Sequence, residues 1–190
     1  MDTVDRLLRR IPPELLEETL IGRVRALLRR GKLQAFMVRK WYVIALDGMH
    51  KLARDFPWTP EALRWRNGAG GDTRYTVYVL EAALVTPQGV TLPLTAEFCA
   101  NEPATGEQPE QTEARKQDCE QKAVYRLTAR LKKNFPRLHI LIVADGLYAN
   151  GPIVACCRRY KWDFMIVLKD GSLPVGAGFE RGCRMAVCWD

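Results

Sequence analysis

Two stretches of this chain, WYVIALDG and LHILIVADG, share one pattern: a nearly unbroken aliphatic run closed by Asp-Gly. Residues 41–46 and 138–144 lack the polar alternation of a half-exposed strand, so they predict strands buried on both faces. A chain that buries strands on both faces must also supply helices to cover them. Residues 113–134 have helical periodicity, with Val124, Leu127 and Leu131 on one face and Asn134-Phe135-Pro136 as the stop. Asn150 is placed to cap a further helix whose inner face carries Ile153, Cys157 and Tyr160. TRYTVYVLEAALV and VTLPLTAEF, separated by Thr86-Pro87-Gln88-Gly89, read as an antiparallel hairpin, and DFMIVLKDG as a fifth strand. Residues 49–72, with Pro57, Pro60 and the NGAGG cluster, read as loop, as do residues 100–112. The order strand, strand, strand, helix, strand, helix, strand predicts an α/β domain on a mixed five-stranded sheet with flanking helices.

Ahead of this domain, Pro12-Pro13 and ELLEETLIGRVRALLRRG predict an amphipathic helix with a stripe of Leu16, Leu20, Val24, Leu27 and Leu28, stopped at Gly31. Residues 1–40 are therefore a helical flanking segment. The 29 Lys+Arg against 22 Asp+Glu give a net charge of +7, which favours polyanionic partners such as nucleic acid. No apolar run reaches the roughly 18 residues of a membrane span, and no signal peptide opens the chain, so a cytoplasmic protein is expected. The six cysteines form no CxxC pair and have only His50 and His139 for company, which argues against a structural zinc site. Cys119, Cys156 and Cys157 lie in apolar helical stretches and read as reduced, buried thiols.

The acids carry the chemistry. Asp47 and Asp145 each follow a buried strand. If those strands are neighbours, about 4.8 Å apart, two carboxylates meet at the sheet centre, where like charges call for a cation between them. Hard oxygen ligands select magnesium or manganese, ions that activate water at a phosphodiester. Either Asp-Gly alone is equally a turn after a strand. Glu120 recurs with Val124, Leu127 and Leu131 at i, i+4, i+7 and i+11, which turns it toward the sheet as a possible accessory acid. Near its helix start, the dipole would favour the same carboxylate half-exposed.

LDGMH, PLTAEF, KQDCEQKAVYRLTARLKKNFPRL, VADGLYANGP and FMIVLKDGSLP occur in that order between residues 41 and 174. Together they resemble the RNase H-like catalytic core of DDE transposases of bacterial insertion sequences. The resemblance implies that Asp47 and Asp145 are the first two catalytic acids and metal ligands of a two-metal Mg2+ or Mn2+ site. It also implies DNA as partner, both transposon ends and target, with a homodimer or a full-length transposase as protein partner. The third acid of that family lies on a helix beyond the fifth strand. Here VGAGFERGCRMAVCWD, residues 175–190, departs from the pattern, and Glu180 does not match it. The expectation is therefore a core without its final catalytic helix, altered by a frameshift or stop after Pro174. Two other readings stand beside it: a basic remnant that holds DNA or transposase without cutting, and an RNase H-like nuclease that uses Glu120.

Arg64, Arg66 and Arg74 flank Trp65 and NGAGG, with Trp58 just before, a mixture suited to DNA backbone and unstacked bases or to a solvated loop. NGAGG lacks the Lys-Ser/Thr of a phosphate-cradling loop. Lys132, Lys133 and Arg137 predict an exposed basic edge open to phosphate. His50 and Asp170 read as a surface histidine and a turn aspartate.

Overall fold

The longest apolar strand organises the sheet. In the computed structural model, β3 (Thr73–Val85) pairs antiparallel along one edge with β1 (Tyr42–Arg54), from Val43 opposite Val85 to Arg54 opposite Tyr75. Its other edge is shared. β2 (Ala62–Arg66) runs against residues 73–77, and β4 (Thr91–Phe98) against residues 79–85. On the far side of β1, β5 (Ile140–Ala144) joins in parallel, and β6 (Asp163–Ile166) joins β5 in parallel. The structure describes residues 6–7, 10–59, 62–66, 72–99 and 111–167, without the side chains of residues 65, 66, 111–119 and 121.

The architecture is mixed α/β, and the sheet has six strands rather than the five expected. The difference lies in residues 49–72. β1 does not stop at Leu46 but continues through Asp47-Gly48 to Arg54, and residues 62–66 form a strand of their own. The physical reason is the length of β3. Its backbone N–H and C=O groups need partners on both edges at residues 73–77, and polar segments supply them as well as apolar ones.

Among the described residues the sheet is accompanied by α1 (Pro13–Arg29), α2 (Gln111–Asn134) and α3 (Gly151–Tyr160). Alternation along the strands turns Ile44, Leu46, Tyr78, Leu80, Ala82 and Leu84 to one face, where Val124, Leu127 and Leu131 of α2 join them in a single buried core. Asn150 caps α3 as its position predicts, its side chain accepting from Ile153 N at 3.0 Å. Thr128 of α2 lies 3.4 Å from the Cys156 sulfur, which places α3 beside α2.

α1 docks through part of the leucine stripe, with Val24 buried and Leu20 and Leu28 packed against the core, and through Ile21 beside it. Ile21 and Val24 are buried, whereas Leu16 and Leu27 are 48% and 37% exposed. Glu17, Ile21, Val24 and Leu28 also recur at helical spacing, and polar contacts choose that face. Glu17 accepts from Arg130 at 3.0 Å and from Thr95 at 2.8 Å, while Arg25 donates to the Asn134 carbonyl at 2.9 Å. Arg130 also pairs with Glu97 of β4, so one guanidinium ties α1, α2 and β4 together. Arg130→Met is expected to lower stability by about 2 kcal/mol, because Glu97, whose side chain is 11% exposed, loses its closest partner. Chemical denaturation of the two proteins side by side measures this. No helix among the described residues is long and apolar enough to cross a membrane.

Candidate active site

β1 and β5 run parallel with Tyr42 level with Ile140 and Ala45 level with Val143. Neighbouring strands lie about 4.8 Å apart, and the register, carried two residues past that last pair, leads to Asp47 and to Asp145, which follows directly on β5. Both are exposed, on the face turned away from α2. Asp145 ends its strand and caps a short 3-10 turn, Gly146–Tyr148, accepting from Leu147 N at 3.0 Å. Asp47 sits in mid-strand, where Gly48 is no turn residue. Gly48 makes room instead: a Cβ built there would lie 2.1 Å from the Tyr78 hydroxyl oxygen.

A third carboxylate shares this face. Glu81 of β3 pairs directly opposite Asp47, which brings the two Cβ atoms to about 5 Å. The row Asp145, Asp47, Glu81 thus crosses three neighbouring strands. Lys51, two pleats along β1, brings its ammonium to 3.8 Å from Glu81 and partly offsets the charge. Glu81 is absent from the expectations drawn from sequence, although it is the one acid in TRYTVYVLEAALV. A lone acid in an apolar strand was the available signal.

Glu120 occupies the buried face of α2, as its spacing predicts, and is 1% exposed. Its neighbours are two phenols. Burial first, then a hydrogen bond to Glu120 and its charge, push the Tyr78 hydroxyl far above the ordinary tyrosine range. Burial does the same to Tyr148, followed by the charges of Glu120, Asp145 and Asp47. Tyr148 therefore lies within electrostatic reach of all three predicted acids. His50 packs edge-on to Tyr78 at 4.7 Å and has Nδ1 3.3 Å from Thr76 Oγ1, so it belongs to a strand rather than a loop. Among the described residues, no three His, Cys, Asp or Glu side chains gather closely enough to hold a metal ion as one group.

The basic candidates are dispersed. Arg64 and Arg74 are exposed on β2 and β3, and Arg66 lies on β2, with its side chain outside the described atoms. Lys132 is engaged, donating to the Pro136 carbonyl at 3.0 Å and the Tyr160 carbonyl at 3.4 Å, whereas Lys133 is exposed. Cys99, Cys156 and Cys157 are buried free thiols, and burial, then Cys156, pushes Cys157 up to about 12. Asp170 and Glu180 fall outside the described residues, as does the departure at residues 175–190. No family model, curated protein or solved structure matches this chain.

Proposed function

We propose that this chain is the RNase H-like core of a DDE transposase of a bacterial insertion sequence, acting on DNA phosphodiesters in the cytoplasm. The supporting observation is the parallel register of β1 and β5 in a mixed sheet, which leads to Asp47 and Asp145 two residues past the last recorded pair. Two exposed carboxylates so placed fit a hard divalent cation. Magnesium or manganese held by Asp47 and Asp145 would supply an activated water and offset charge at the scissile phosphate. The chain's own groups do the rest. The Leu147 N–H fixes one Asp145 oxygen. Tyr148, its proton retained by burial and nearby negative charge, remains a neutral donor beside the acids at physiological pH. Lys51 limits repulsion along the row through Glu81.

The test joins metal binding to nicking. Mn2+ titrated into the chain is expected to bind at a site that Asp47→Asn or Asp145→Asn abolishes. Supercoiled plasmid in Mn2+ is expected to be nicked at a rate each variant lowers about a hundredfold or more. Failure of both overturns the assignment. DNA binding without metal binding or nicking would instead favour a module that holds DNA without cutting it.

A further inference from the structure

β1 contains a bulge that re-aims its far end. Lys51 pairs with Val77 and Ala53 with Thr76, so Leu52 is left outside the ladder, 68% exposed and with φ at +51°. That backbone region is unfavourable for leucine, and an exposed leucine gains nothing from burial to offset it. What the bulge changes is direction. Residues three apart on a regular strand point to opposite faces, yet Lys51 and Arg54 point to the same one. Lys51 shares the face of Val77 and Arg54 that of Tyr75, and residues 75 and 77 of β3 share a face.

On the other edge of β3, Arg64 of β2 also pairs with Tyr75. Arg54, Tyr75 and Arg64 therefore form one row across three strands, with both arginines exposed and the tyrosine half-buried between them. The same face carries Asp47 further along β1. The Arg54 guanidinium lies over the rings of Phe56 and Trp58 at 5.7 and 5.6 Å, which steadies it without neutralising it. Phe56 itself is 55% exposed. Aromatic faces beside exposed guanidinium groups are complementary to unpaired bases on a phosphate backbone.

We infer that this three-stranded ribbon is a track for a single strand of DNA. Arg54 and Arg64 contact its phosphates and Tyr75 stacks an unpaired base. The inference rests on the proposed transposase reading for its DNA substrate. Arg54 lies about 20 Å along β1 from Asp47, so a strand on this track would lead on toward the acids. Lys51, committed to Glu81, takes little part.

Fluorescence anisotropy with a labelled 20-nucleotide single strand in EDTA tests the track independently of metal. Arg54→Ser with Arg64→Ser is expected to weaken binding at least about tenfold and to reduce the log–log salt slope by about 1.4, the release expected for two phosphate contacts. Tyr75→Leu is expected to weaken binding about tenfold with the salt slope unchanged. The bulge gives the decisive pair. Deleting Leu52 restores plain alternation and turns Arg54 away, so binding falls as in the arginine variant. Leu52→Gly keeps the bulge in a conformation glycine adopts freely, so binding stays at the parent level. Circular dichroism melting establishes that each variant is folded. Parent-level binding by the folded deletion or by the folded double-arginine variant overturns the track. Absence of nicking alongside ribbon-dependent binding overturns the transposase reading alone, and nicking alongside ribbon-independent binding overturns the track alone.

Discussion

Replacing Gly48 by alanine is expected to cost about 3 kcal/mol of folding free energy, the upper end of what overpacking a core commonly costs. The new methyl carbon would stand 2.1 Å from the Tyr78 hydroxyl oxygen and 2.7 Å from the ring carbon that bears it. Nothing lets that ring swing clear. Tyr78 is 5% exposed, within the influence of the Glu120 carboxylate, and held edge-on by His50. Backbone or ring must move, and Gly48 is held in the ladder opposite Leu80 of β3. A urea titration would show the loss as a lower midpoint. Tyr78→Val in the same chain should recover much of it, leaving the double variant about 2 kcal/mol more stable than the two single costs predict. An unchanged midpoint for Gly48→Ala would refute this packing.

Stability should also fall steeply in alkali. Tyr78, Tyr148 and Cys157 all keep their protons in the folded chain beyond their ordinary values of 10, 10 and 9. Below pH 9 they are protonated whether the chain is folded or not, so they add no pH dependence. Above pH 9 for the thiol and above pH 10 for the phenols, the unfolded chain releases protons that the folded chain retains. The folded state then binds more protons, and stability decreases as pH rises. At about 1.4 kcal/mol per unit for each fully titrating group, the three together should remove about 3 kcal/mol between pH 10 and 11. Urea midpoints at pH 8, 10 and 11 measure this, and Tyr148→Phe should remove about a third of the drop. A midpoint constant across that range would contradict the burial of these groups.

Some of this arrangement is legible in the sequence. The runs around Ile44 and Ile142 predict their strands, but burial on both faces is not what the fold shows: Ile44, Leu46, Ile140, Ile142 and Ala144 are buried, whereas Val43, Ala45, Leu141 and Val143 on the other face are half-buried. Glu120 is legible because its spacing with Val124, Leu127 and Leu131 leaves it no other face. Asp47 in mid-strand is not. Asp-Gly is common turn chemistry, and only the length of β3, a property of a different segment, keeps β1 extended through it. Glu81 is hidden for a related reason, since its place opposite Asp47 depends on register rather than on any local pattern. The row of Arg54, Tyr75 and Arg64 depends on one extra residue, Leu52, whose effect on alternation no propensity reveals. In α1 the leucine stripe is legible for Leu20, Val24 and Leu28 but not for Leu16 and Leu27, since Arg130 and Asn134, far along the chain, help to set which way the helix turns.

The parallel pairing of β1 with β5 also governs how the chain reaches this state. Tyr42 must find Ile140 across a separation of roughly a hundred residues, whereas β1, β3 and β4 join through much shorter connections. The antiparallel strands can therefore assemble while the later ones are still being synthesised. Until β5 arrives, the edge of β1 that includes Val43, Ile44 and Ala45 offers unpaired backbone and apolar side chains to any other strand nearby. High contact order slows the closing step, and an open apolar edge during that delay invites intermolecular pairing. Refolding yield should accordingly drop as protein concentration rises, with the parallel half of the sheet the last to gain protection from hydrogen exchange.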